Sequence, residues 1–163
     1  MADAGEERIE EAVAQAFEVL RRATIKQGGL WLDGEVLTSE RIKTLINLKL
    51  MERDCVAQHT IVAGGEQACD PHNEGSGPLS AGRSIIFDVF PRSAVSRYFA
   101  DMSRTVIRGA ASPELKRLYQ TVKDAQEEAI SKIKDGADGM KIHQSICARF
   151  EKPATITLTA KIG

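Results

Sequence analysis

Residues 84–109 read SIIFDVFPRSAVSRYFADMSRTVIRG, and this stretch decides how the rest of the chain is read. Two carboxylates, Asp88 and Asp101, each sit in an apolar, strand-like run. Ser84 to Phe87 lead into Asp88, and Val89 and Phe90 follow it. Tyr98 to Ala100 lead into Asp101, and Met102 to Ile107 follow it. Pro91 and the polar run Arg92 to Arg97 form a turn, so the two strands can pair as a hairpin. A carboxylate inside so much apolar chain is costly to bury unless its charge is compensated. Facing carboxylates on strands are one way to hold a hard or borderline divalent metal. The other reading is a pair of strand-end aspartates, solvated or paired with Arg97 or Arg104. Alternation sends Asp88 to the face opposite Phe87 and Val89, and Asp101 to the face opposite Ala100 and Met102.

Working outward, the flanking segments carry their own signals. Downstream, Ser112 is an N-cap, Pro113 a first helical residue, and Glu114 complements the helix dipole. Leu115, Leu118, Tyr119, Val122, Ala125, Ala129, Ile130 and Ile133 recur on one face, which predicts a buried helical stripe ending near Gly136. A shorter helix is expected over about Gly139 to Glu151. Thr155 to Ile162 alternates as a half-buried strand would. Upstream, Ile9 to Leu20 recur at helical spacing over roughly Glu6 to Thr24, and Gln27 to Gly29 end that helix. Leu30 to Leu32 read as a short connector. Thr38 caps a second helix running to about Glu52, with Leu37 stapled on Ile42. A strand follows near His59 to Ala63, then a polar loop from Gly64 to Gly82.

The combination of FDVFPR and YFADMSRTVIRG resembles the first metal-binding segment of the pita-bread metallopeptidases, the methionine aminopeptidases, prolidases and Xaa-Pro aminopeptidases. The likeness continues through LTSERIKTLI, IVAGGEQACDPH and GSGPLSAGRSII upstream, and through GAASPELKRLYQTVKDAQEEAISKIKDG downstream. It covers roughly Glu6 to Glu151. DPH followed by a GPL turn is closer to the prolidase and Xaa-Pro branch. Two departures stand out: the gap between Asp88 and Asp101 is slightly long, and Ser103 stands where Thr is usual.

The resemblance implies an α+β pita-bread fold, its first half complete (6–109) and its second half cut short (helices in 112–151, an atypical tail over 152–163). It implies two divalent ions, Mn, Co or Zn, and a peptide substrate. Asp101 resembles the carboxylate that bridges both ions and Asp88 the one that holds a single ion. His72 resembles the catalytic histidine that contacts substrate near the scissile bond; read alone, it is an exposed loop histidine. The second half of the family supplies a His and two Glu, and none appears on a strand after Asp101 here. His143 and Glu114, Glu127, Glu128 and Glu151 all fall on helices. A truncation or frameshift near Lys152 is the expectation, with the chain inactive by itself, less stable than its size suggests, and prone to pair with an identical copy.

Composition narrows the classes. The chain has 163 residues, 42% hydrophobic and 28% charged, enough for one domain with a core. A net charge of −1 favours neither nucleic acid nor a membrane surface. Three cysteines without CxxC spacing suggest reduced thiols in a cytoplasmic protein. Cys55, His59, Cys69 and His72 offer a rival structural zinc reading, at spacings unlike the common finger patterns. His59 by itself reads as structural. Two further functions stand beside the peptidase: a non-catalytic pita-bread module that binds peptide or protein, and metal-free amidino hydrolysis on the same fold. The second of these sits poorly with the two retained aspartates.

Overall fold

A computed structural model describes residues 3–150. The expected strand over 155–162 and the tail over 152–163 lie outside the described residues. The chain divides into two compact units, residues 1–110 and 111–163, each described by itself.

The first unit opens with helix α1 (Asp3–Arg22). Its apolar positions Ile9, Ala12, Val13, Ala16 and Leu20 are buried, as the period requires. Three short strands follow: β1 (Thr24–Lys26), β2 (Gly29–Leu32) and β3 (Glu35–Val36). They form an antiparallel meander, so Leu30 to Leu32 are a strand and not a connector. The turns explain it. Gln27 and Gly28 have φ of 51° and 77°, and Asp33 and Gly34 have 54° and 85°. Two successive left-handed residues make a tight hairpin turn, for which Asp-Gly is a strong signal. Leu30 then pairs through its backbone with Leu37 and Leu79, whose side chains share its burial.

Helix α2 (Ser39–Met51) starts at the expected cap: the Thr38 hydroxyl accepts from the Arg41 backbone N–H at 3.3 Å. Ile42, Ile46 and Leu50 face the core. The main sheet has the order β5-β6-β8, all antiparallel, from β5 (Ile61–Gly64), β6 (Ser84–Val89) and β8 (Met102–Ile107). A second, two-stranded pairing joins β4 (Cys55–Val56) to β7 (Arg92–Ser93). Part of the expected turn is thus a strand, held by a partner far away in sequence. On β6 the alternation is clean. Ile85, Phe87 and Val89 are buried while Ser84, Ile86 and Asp88 are only half-buried. Phe87 meets Phe17 of α1 edge to face, with centroids 5.3 Å apart, so α1 and α2 cover one sheet face.

The second unit contains α3 (Pro113–Lys132) and α4 (Gly139–Phe150). Ser112 caps α3, its hydroxyl accepting from the Leu115 N–H at 3.2 Å. The expected buried stripe is only partly realised. Ala125 is buried, but Tyr119, Val122, Ile130 and Ile133 are exposed. A helical stripe is buried only where another layer lies on it, and within this unit α4 covers a single part of it.

Glu128 on α3 takes Lys132 Nζ of the same helix at 2.6 Å and Arg149 Nη2 of α4 at 2.7 Å, and Lys132 in turn donates to Ser145 of α4. The Lys132 ammonium first, then the Arg149 guanidinium, lower the Glu128 carboxyl to about 2 from an ordinary 4.5. A depressed folded-state value stabilises the contact above pH 4.5 and loses that effect as pH falls toward 2. Acid titration followed by circular dichroism should therefore show loosening of this helix pair in that window. Glu128→Gln should remove that component and leave the rest of the titration unchanged.

Candidate metal centre

Strand β6 carries Asp88 because its neighbours Phe87 and Val89 must face the core, which turns residue 88 the other way. The pairing register sets what it meets. Asp88 lies opposite Ile61 on β5 and opposite Ser103 on β8. The Ser103 hydroxyl donates to Asp88 Oδ1 at 2.5 Å, which fixes the carboxylate rotamer. Asp101 falls just before β8, not within a strand as expected. It is exposed, and Met102 beside it is buried opposite Val89. Carried two residues back from Ser103, the alternation of β8 assigns Asp101 to the face of Ser103 and Asp88, as a diagonal neighbour. Such positions lie about 7–8 Å apart, within reach of two carboxylates approaching a common ion or pair of ions.

The competing Asp–Arg pairing is not formed. The Arg104 guanidinium donates to the Ser103 carbonyl at 2.8 Å, and Arg97 makes no ion pair with either aspartate among the described residues. The donors fit a divalent ion in kind, being hard carboxylate oxygens on one open face. They do not reach a full set. Among the described residues no group of three or more His, Cys, Asp or Glu gathers at one point.

His72 lies in the turn after a 3-10 segment, Gly65–Cys69. Its backbone N–H donates to Asp70 Oδ1 at 2.9 Å, and its side chain is 94% exposed. Nothing in the described contacts joins it to Asp88 or Asp101. The loop behind it is tightly held: the Val62 N–H donates to Glu74 O, and Lys43 Nζ donates to Gly75 O. The four proposed zinc ligands do not converge. Cys55 is buried beside Arg8, His59 Nδ1 is 2.6 Å from Glu74, and Cys69 is exposed.

At the hairpin tip lies a cavity that the residue pattern did not announce. It is lined by residues from β4, the 57–60 loop and the hairpin tip, among them Phe90, Arg92, Arg97 and Phe99. Phe90 is two residues after Asp88 and Phe99 two before Asp101. The period-2 pattern could have placed them beside the carboxylates.

Neither aspartate sits in the packed core. Asp88→Asn and Asp101→Asn are thus expected to leave the melting temperature unchanged or slightly raised in metal-free buffer. Strong destabilisation by either would mean that the carboxylate serves the fold.

Comparison with known proteins bears on this arrangement. The Metallopeptidase family M24 profile matches residues 7–160. Xaa-Pro aminopeptidase 2 of Streptomyces coelicolor is 31% identical over 117 residues, covering 71% of this chain and 23% of that enzyme. An Xaa-Pro dipeptidase of Pyrococcus furiosus is 23% identical over 127 residues, covering 77% of this chain and 36% of that protein. Among solved structures, an X-Pro aminopeptidase from Thermotoga maritima superposes with a TM-score of 0.67 at 25% identity, over 90% of this chain and 40% of that one. The Pyrococcus furiosus prolidase structure gives 0.68 at 17% identity, over 91% and 42%. The α+β arrangement is thus that of the pita-bread fold, and the chain spans about a quarter of the Streptomyces enzyme's length.

Proposed function

The chain belongs to metallopeptidase family M24, and from that premise we propose that it supplies the first-half ligands of a two-metal peptidase centre acting at Xaa-Pro or related N-terminal peptide bonds. What supports this reading is the register of β6 against β8, which sets Asp88 opposite Ser103, two residues after Asp101.

In this reading Asp101, exposed just before β8, would be a ligand to both ions, and Asp88, steadied by Ser103, would hold one of them. Bound ions of this kind lower the pKa of a shared water and polarise a peptide carbonyl. The chain's own part is to hold one negative charge on β6 and a second beside the start of β8, so that little reorganisation is needed on binding. The buried side of β6 keeps that strand in place through Phe87 and Val89. His72, on its pinned loop, is free to approach a peptide from the solvent side and to donate to a developing negative charge. Two carboxylates and water are too few donors for a tight two-metal cage, so residues 1–163 by themselves are not expected to hydrolyse peptides. A second reading, a pita-bread module that binds peptide or protein without cleaving it, rests on the two-aspartate inventory of the sequence.

Calorimetric titration of this chain with manganese or cobalt tests the proposal. Binding weaker than about 0.1 mM, abolished by Asp88→Asn and Asp101→Asn together, is expected for so few oxygen donors. Retention of binding in the double variant would overturn the assignment. A tight two-metal isotherm would place further ligands elsewhere, including on a second copy.

A further inference from the structure

The cavity at the hairpin tip has a chemistry of its own. It measures about 590 Å³, the size of a site for a small molecule or short peptide. Val56, Phe90 and Phe99 give it an apolar wall. Arg92 and Arg97 give it charge, and among the described residues no carboxylate lines it. Arg92 uses its Nε on the Arg97 carbonyl at 3.3 Å. Neither guanidinium forms an ion pair among the described residues, so both keep donors to offer. His59 also lines the cavity, but Glu74 already engages it.

The backbone is unusual at the same place. His59 and Arg97 both adopt left-handed φ, 58° and 69°, without being glycine. Such conformations persist only where the surrounding contacts impose them, and they gather at ligand-holding sites. Here the hairpin tip imposes one of them. The Ser93 N–H donates to Tyr98 O and the Arg97 N–H to Ser93 O, while Ala94 is tied back to Asp54 O. Arg97 is thereby presented at the cavity and not left on a loose loop. Phe99 is 71% exposed, a large apolar surface with nothing on it.

We propose that this cavity binds the carboxylate of a short peptide, Arg92 and Arg97 taking the carboxylate and Phe90 and Phe99 packing on its apolar body. The inference rests on the reading that the chain handles peptides, and adds which chemical feature of the peptide is recognised. Guanidinium–carboxylate contacts are charge-assisted and geometrically selective, so a neutral amide in the same position is a poor substitute. The carboxylate can be a free C-terminus or an acidic side chain.

Isothermal titration of residues 1–163 in EDTA separates these sources and needs no variant. The probes are Ala-Phe against Ala-Phe-amide, and Glu-Phe-amide against Gln-Phe-amide. Saturable binding of at least one carboxylate form is expected, weakened about tenfold or more in its amide partner and by added salt. Loss in the first pair identifies the C-terminus, and loss in the second identifies the side chain. Arg92→Gln and Arg97→Asn should each weaken that binding about tenfold, with Arg92→Lys intermediate. Asn suits the left-handed backbone at position 97, and an unchanged melting temperature confirms an intact fold. Equal binding of acid and amide in both pairs, no binding by any probe at 10 mM, or full affinity in both arginine variants would overturn the proposal. EDTA removes metal, so a failure of the two-metal reading leaves this result legible, and the converse holds.

Discussion

Replacing Gly75 by alanine should unfold most of the first unit at temperatures where the parent chain is folded. Gly75 has φ of 78°, and an added Cβ would lie 1.9 Å from Val62 O and 2.5 Å from Val62 C. Those are backbone atoms of β5, buried under α2, and they cannot turn aside as a side chain could. The segment must leave the sheet. It would take with it the Val62 N–H bond to Glu74 O and disturb the Ser39 hydroxyl bond to Val62 O at 2.7 Å. It would also disturb the Gly77 N–H, which Glu40 accepts at 2.9 Å. A buried polar group stripped of its partner costs about 1–3 kcal/mol, and the left-handed backbone adds about 1–2 kcal/mol. A loss of roughly 4 kcal/mol follows, near the upper end for a single substitution. In a unit of this size that lowers the melting temperature by about 15 °C or more. Gly77 is the control. Its φ is 71°, yet nothing lies within 4 Å of a Cβ there, so alanine at 77 should cost only the conformational part. Similar melting of the two variants would mean that close approach at Gly75 does not matter. Because Gly75 ends the segment that carries His72, the Gly75→Ala variant should also lose any peptide contact made by that loop.

Phe87→Ala is expected to cost about 3–5 kcal/mol, a lost transfer term plus a cavity that its neighbours fill poorly. Phe87 is fully buried, pairs edge to face with Phe17, and stands where α1 and the β5-β6-β8 sheet meet. Its effect should reach the candidate centre. Asp88 is the next residue, and its direction depends on Phe87 staying seated. Phe87→Leu keeps most of the volume and should cost less than half as much. Ile86→Ala, one residue back and on the other face, should be milder still, because Ile86 is only half-buried. Chemical denaturation monitored by circular dichroism gives the three values in one series. An Ile86 effect as large as that of Phe87 would contradict the assignment of faces on β6, and with it the outward placement of Asp88.

The sequence by itself determined whatever depends on local period and local chemistry. Thr38 and Ser112 were legible as helix caps because a cap is a bond between a side chain and an N–H three residues on. The outward turn of Asp88 was legible because a strand alternates, and three buried apolar residues fix which way. The family was legible because its metal-binding segment is compact and specific. Tertiary structure decided the rest. The strand β2 is four residues long, β3 and β7 two each, and none carries a period of its own. They exist because of the partners that pair with them: Trp31 with Val36 across the Asp33-Gly34 turn and, from far along the chain, Leu30 with Leu79 and Arg92 with Val56. The apolar stripe of α3 looked like core, but burial belongs to a pair of surfaces, and sequence describes only one of them. The same reason hid the cavity. Val56, Phe90 and Arg97 are separated in sequence and each is ordinary alone; folding β4 onto β7 brings them around one space. His72 was named from the pattern around it and its exposure was legible from its polar loop, while the anchoring of that loop is a property of the folded chain only.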